Sequence, residues 1–160
     1  VKGRIERENW IEQASVLGVE CEALKVVGKS DSMTVSTQEM SAWGRENWGG
    51  GIHLLGRAKK SGDFVELAIP VPDTRPRKLL LRTTRAPDYA TLRLSVNGTA
   101  VAASFDGYAP NVQPGPAVDL GSFTPKDGFF VLRIEAAGMN PAAGNGDFLF
   151  GLDRLELRFY

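Results

Sequence analysis

One cysteine, Cys21, and one histidine, His53, are all that the 160 residues hold of the two side chains most used for transition metals and nucleophilic chemistry. A lone cysteine excludes an intrachain disulfide, and with it the disulfide-stapled class of small secreted folds. Within the VECEAL strand pattern it reads as an inert buried thiol. A lone histidine excludes a metal centre built on several imidazoles and leaves a Ser-His-Asp triad resting on His53 alone. In GGGIHLLG it falls in a strand-like run, which points to a structural role. Charge of one sign is also lacking: 19 Lys and Arg balance 19 Asp and Glu. No net field draws in phosphate backbones or anionic lipid, so neither nucleic acid nor a membrane is an expected partner. No apolar run approaches the roughly 20 residues of a bilayer span. The opening residues VKGRIERENW carry charge where a secretory segment is apolar, so the chain reads as a mature protein or an excised domain. WGGGIH lacks the Lys and Ser or Thr of a phosphate loop. The acidic residues on the predicted loops, Asp88, Asp106 and Asp147, form no convincing catalytic pair, so no catalytic residue is assigned and the chain is not expected to be an enzyme.

What the sequence does contain is turn chemistry. Eighteen glycines and nine prolines are spread between short apolar runs, the mark of an all-β chain. The length suits one domain with a real core. Residues 1–16, with Ile5, Trp10 and Ile11 among charges, read as a leader or linker, and 17–160 as the domain. From Val19, alternation with Glu20 and Glu22 predicts a first strand. A short strand is expected near Met33 to Ser36, followed by a long loop that ends in three glycines. FVELAIPV and KLLLRTT read as strands, with Pro70 marking an edge or a strand end. TLRLSV and TAVAASF flank Asn97-Gly98, whose two residues accept the positive φ angles of a type I′ turn and so predict a hairpin. AVDLGSFT and FFVLRIEAA flank Lys126-Asp127-Gly128 as a second predicted hairpin. FLFGLDRLELRF closes the chain. About eight short strands without a convincing helix predict an antiparallel two-sheet β-sandwich of the jelly-roll kind.

The order VECEAL, GDFVELAIPVP, LRLSVNGT and FLFGLDRLEL resembles the calcium-binding, galactose-binding-like β-sandwich carbohydrate-binding modules of families six and thirty-five. The resemblance covers about residues 17 to 160. It implies a structural Ca2+ held by a Glu-x-Glu pair on the first strand and an aspartate on the last, here Glu20, Glu22 and Asp153. The residues themselves give separate support. Asp153 shares period-two phase with Leu155, Leu157 and Phe159, so its carboxylate is expected on the inner face, where it needs a compensating partner. Calcium takes six to eight oxygens, mostly carboxylate and carbonyl. Solvated Glu20 and Glu22 with a loop-capping Asp153 is the alternative.

Sugar rings present flat apolar faces fringed by hydroxyls, so a binder needs exposed aromatic platforms with amides or carboxylates around them. Three predicted loops offer these: SAWGRENWGGG with Trp43 and Trp48, FDGYAPNVQ with Tyr108 and Asn111, and GMNPAAGNGD with Asn140 and Asn145. The resemblance places sugar at one end of the sandwich. There Trp48 or Trp43 takes the place of a first platform, usually a tyrosine, Tyr108 that of a second, and Asn145 or Asn140 that of an amide before the last strand. Either tryptophan could equally be a core anchor. Asp88 and Tyr89 form a lesser patch, as turn-former and core plug on the plainer reading, and Arg45, Glu46 and Arg57 could add hydrogen bonds. The expected function is a non-catalytic module that holds an attached parent catalytic domain near polysaccharide or glycan. It is expected to be extracellular or periplasmic, bacterial, and monomeric in isolation. A docking domain packed on a neighbouring domain, without a sugar site, is the alternative; an exposed apolar patch would favour it.

Overall fold

The computed structural model describes residues 16–101, 104–143 and 148–159, and of Val16 the backbone only. Residues 1–15 of the predicted leader and Asn145 lie outside these residues, and Val16, the leader's last residue, opens the first strand. Among the described residues twelve strands follow in order: β1 (Val16–Glu20), β2 (Lys25–Lys29), β3 (Thr34–Glu39), β4 (Ile52–Arg57), β5 (Phe64–Pro70), β6 (Arg77–Arg85), β7 (Ala90–Val96), β8 (Thr99–Ala100), β9 (Phe105–Asp106), β10 (Gln113–Phe123), β11 (Phe129–Met139) and β12 (Leu149–Arg158). The first sheet runs β10-β6-β12-β4-β3, and β1 also pairs with β12. The second runs β2-β5-β11-β7-β8, and β9 also pairs with β7. All the ladders between strands are antiparallel. This is the two-sheet β-sandwich that the spacing of strands and turns predicts.

Period-two alternation builds the core. Leu79 and Leu81 of β6 and Leu152, Leu155 and Leu157 of β12 meet Val65, Leu67 and Ile69 of β5 and Phe130, Leu132 and Ile134 of β11, all buried in one cluster. Their partners in the alternation lie on the outer faces. Asn97 and Gly98 have φ of 48° and 82°, and β7 and β8 pair on either side of them as the Asn-Gly signal requires.

Three local expectations are corrected. The predicted first strand stops at Glu20; Cys21–Ala23 form a 3-10 turn that carries the chain from the first sheet into the second. Cys21 is fully buried at that crossing, and burial pushes its thiol well above the usual range. The predicted hairpin at Lys126-Asp127-Gly128 has its tight turn, with φ of 55° and 85° at Asp127 and Gly128. Its two strands nonetheless part company: β10 pairs with β6, and β11 with β5 and β7. Finally, the alternation of β12 breaks at Asp153. Leu152 lies opposite Thr83 and Arg154 opposite Arg82, leaving Asp153 as the extra residue of a bulge. Phe159 lies past the core, with the guanidinium groups of Arg75 and Arg77 4.0 and 4.2 Å from its ring centre.

Candidate functional site

Residues 40 to 51 fold over the outer face of the first sheet. The Met40 N–H donates to the Gly51 carbonyl at 2.8 Å and closes the loop at its base. Three short 3-10 turns fill it. Gly44, Gly50 and Gly51 have φ of 93°, 62° and 73°, a region that residues with a Cβ enter at a cost. The two tryptophans of this loop have opposite fates. Trp48 is 4% exposed, donates its indole N–H to Thr84 Oγ1 at 2.8 Å and meets His53 edge-on, with ring centres 6.4 Å apart. Its reading as a sugar platform is corrected: it anchors the loop, because a buried indole N–H needs an acceptor and Thr84 supplies one. Trp43 is 40% exposed.

Trp43 borders a cleft of about 230 Å3 at one end of the sandwich. The floor is a satellite apolar cluster of Ala86, Tyr89 and Leu149, with Leu55 and Val112 packed on it. Gln38, Arg57 and Asp88 bring polar groups to the wall. Tyr89 is the plug of this floor, and burial raises its phenol far above the ordinary value. The lesser patch of the sequence thus joins Trp43 in one hollow, whereas Gln38 was not foreseen. The spacing predicts a loop there, whereas Gln38 lies in β3 opposite His53.

The loop of residues 107 to 112 forms another border. Tyr108 is half-buried and bridges Ala86 of the floor; Asn111 is exposed beside Val112. Asp106 fixes this loop. One carboxylate oxygen accepts the Tyr108 N–H at 3.0 Å, and the other accepts Asn140 Nδ2–H at 2.7 Å. The Asn140 carbonyl accepts the Ala142 N–H at 2.9 Å. Asn140 is therefore a strut between loops, with one bond at each end of its amide made to protein.

Glu20, Glu22 and Asp153 converge elsewhere on the first sheet. β4 pairs with Leu149 to Leu152 of β12, and β1 pairs with Arg154 to Arg158. Asp153 stands in the gap where β12 changes partner, and Glu20 lies opposite Arg154 at the edge of the same gap. The Gly49 N–H donates to Asp153 Oδ1 at 3.0 Å, so this carboxylate reaches the loop and is not an inner-face group in phase with Leu155. A Cβ on Gly49 would strike the Glu20 carboxylate. Burial, with repulsion from Glu20 added, raises the carboxyl groups of both Glu22 and Asp153. One oxygen each of Glu20 and Glu22 is buried without a hydrogen-bond partner. Such orphaned anionic oxygens are costly unless a cation answers them. Among the described residues no three His, Cys, Asp or Glu side chains stand as a group that could hold a metal ion by themselves, so backbone carbonyls would have to complete any coordination shell.

A third feature lies on the outer face of the second sheet, a depression of about 500 Å3 lined by Val27, Ala68, Phe129 and Val131. It is larger than the Trp43 cleft and more apolar, with Val26, Val27 and Phe129 substantially exposed. Lys25, Glu66, Asn97, Lys126 and Asp127 also line it, so polar groups stand around the exposed Phe129 ring as well.

No family model and no curated protein matches the chain. Solved structures do. Xanthan lyase of Paenibacillus superposes with a TM-score of 0.72 at 22% identity over 89% of this chain, which spans 13% of that protein. A family 35 carbohydrate-binding module of Paenibacillus barcinonensis superposes with a TM-score of 0.52 at 17% identity, over 90% of this chain and 99% of the module. The first family 36 carbohydrate-binding module domain of a multidomain xylanase from the hindgut metagenome of Trinervitermes trinervoides gives 0.51 at 16% identity, over 91% and 98%. These likenesses show the fold: the chain has the β-sandwich of carbohydrate-binding modules.

Proposed function

With that fold as the premise, we propose that the chain is a non-catalytic carbohydrate-binding module whose sugar site is the Trp43 cleft. One observation carries the reading: a half-exposed tryptophan stands over an apolar floor with an amide, a guanidinium and a carboxylate at the wall. Trp43 supplies the flat face on which a pyranose stacks. Gln38, Arg57 and Asp88 supply donors and an acceptor for its hydroxyls. Tyr108 and Asn111 extend the site along the neighbouring loop. Xanthan lyase and the xylanase named above are multidomain or far longer chains, which supports a module that tethers a parent catalytic domain to polysaccharide outside the cytoplasm. Tethering raises effective concentration without new chemistry.

Glu20, Glu22 and Asp153 are the residues that would hold a calcium ion on this reading: one oxygen each of Glu20 and Glu22 is buried without a partner, and carboxylate oxygens are the hard donors the ion prefers. A bound ion would supply structural cohesion by tying β1, the Cys21–Ala23 turn, β12 and the Gly49 loop together. It takes no part in sugar chemistry on this reading.

Affinity electrophoresis through gels containing xanthan, xylan or β-1,4-mannan tests the proposal. Retardation by at least one polysaccharide, lost in Trp43→Ala, is the expected result. Unretarded migration in all three would remove it. The apolar face around Val27 and Phe129 favours a second reading, a docking surface for a neighbouring domain. That reading gains if Val27→Asp separates the module from its neighbour in the full-length protein while sugar binding persists.

A further inference from the structure

Gln38 and His53 lie directly opposite each other on β3 and β4. His53 is fully buried on the outer face of the first sheet. It fits there because position 151 is glycine: a Cβ on Gly151 would lie 2.5 Å from His53 Cε1 and 2.7 Å from Nδ1. The imidazole thereby bridges two polar groups. Nδ1 is 2.7 Å from Thr84 Oγ1, and Nε2 is 2.7 Å from Gln38 Oε1.

The inventory of donors orders this chain. The indole of Trp48 can only donate, and it donates to Thr84 Oγ1. The hydroxyl of Thr84 has one proton to give, and His53 Nδ1 is its remaining partner. His53 then carries its own proton on Nε2 and donates it to Gln38 Oε1. In this arrangement every buried donor and acceptor is used. The other tautomer would strand the Thr84 proton and, unless the Gln38 amide turned over, set a ring lone pair against its carbonyl, a loss that burial makes expensive. Burial also depresses the imidazole to a pKa of about 4, which keeps it neutral near pH 7.

Gln38 is half-buried and lines the Trp43 cleft. With its carbonyl claimed from behind by His53, its NH2 group is left for the cleft. We propose that Gln38 is a sugar-recognition residue that donates to a hydroxyl or ring oxygen of the glycan stacked on Trp43, and that Trp48, Thr84 and His53 are positioning residues that set the sense of its amide. This rests on the cleft reading above. It adds a polarity to it: Gln38 presents donors and Asp88 an acceptor, so the wall complements a ring whose oxygens differ in hydrogen-bond role. Because amides in strands flip freely only when neither end is held, the buried relay converts an ambiguous side chain into a fixed donor.

The test has two arms. In the first, wild type, Trp43→Ala, Gln38→Glu and Gln38→Ala are run on xanthan, xylan and β-1,4-mannan. Gln38→Glu keeps an oxygen for His53 Nε2–H and replaces the cleft-facing NH2 by an acceptor. It is expected to lose on the order of tenfold or more in affinity, with an unchanged melting temperature for the folded protein. Wild-type affinity in both Gln38 variants, while Trp43→Ala has lost it, would overturn the assignment and leave the cleft standing. Binding of none of the three polysaccharides by wild type would remove the cleft reading and the role of Gln38 with it. The second arm needs no sugar and no variant. A long-range 1H–15N spectrum of the single histidine at pH 7 is expected to show Nε2 protonated and Nδ1 bare. The opposite tautomer, or a charged ring, would overturn the relay whatever the first arm gives.

Discussion

The Gly49 amide donates to Asp153 across 104 residues of sequence. That bond joins the aromatic loop to the point where β12 exchanges one edge partner for another. It places three carboxylates, a glycine that tolerates their approach and the root of Trp48 within one small region. Two of the predictions below start there.

A cation held by Glu20, Glu22 and Asp153 would bind the folded state alone and stabilise it by mass action. At a free concentration about 100 times its Kd the gain is about 2.7 kcal/mol. For a domain of this size that corresponds to about 5–10 °C in Tm. Adding chelator should lower Tm by that amount, restoring calcium should reverse it, and Asp153→Asn should abolish the response. Calorimetry in the two buffers decides it; superimposed melting curves remove the metal.

Trp43 and Trp48 should separate cleanly on mutation. Trp43→Ala removes a half-exposed ring and should change stability by less than about 1 kcal/mol while abolishing retardation in polysaccharide gels. Trp48→Ala empties a buried site and takes away the donor to Thr84 Oγ1, at about 3–5 kcal/mol. Urea denaturation beside affinity electrophoresis shows both; a Trp48→Ala protein of full stability contradicts its anchoring role.

Burial of His53 makes stability depend on pH. Its folded pKa, about 4, lies below the ordinary 6.5, so the unfolded chain takes up the proton first as pH falls. The contribution is fully present above pH 6.5, declines between about 6.5 and 4, and totals up to about 3 kcal/mol. NMR titration of this one histidine tests the premise directly: a midpoint near 6.5 in the folded protein contradicts it.

Asp106 holds the Tyr108 backbone with one oxygen and the Asn140 amide with the other. Asp106→Ala should cost about 1–3 kcal/mol and weaken glycan binding several-fold by releasing the loop of residues 107 to 112. Paired melting and titration calorimetry measure both, and unchanged affinity would detach that loop from the site.

Local chemistry was legible in the sequence and long-range pairing was not. Asn97-Gly98 announced its hairpin because both φ angles and the pairing partner are set within a few residues. Lys126-Asp127-Gly128 announced only a turn, since which sheet β10 and β11 join is decided by β6 and β5, far away in sequence. Asp153 misled for a similar reason: a bulge adds one residue and shifts the phase, and no residue type marks it. Trp43 and Trp48 have near-identical surroundings in sequence, and only Thr84, 36 residues beyond Trp48, tells the anchor from the platform. Gln38 carried no signal of its own, because its role depends on which ring nitrogen of His53 faces it.

Val16 and Arg158 are paired neighbours on adjacent strands. Leu149, at the opposite end of the ten-residue β12, forms part of the cleft floor, about 30 Å away along the strand. Val16 and Arg158 therefore stand together at one end of the first sheet, and the Trp43 cleft opens toward the other. A protein joined at these two positions would meet hardly any gap between its joints, and its bulk would stand away from the cleft.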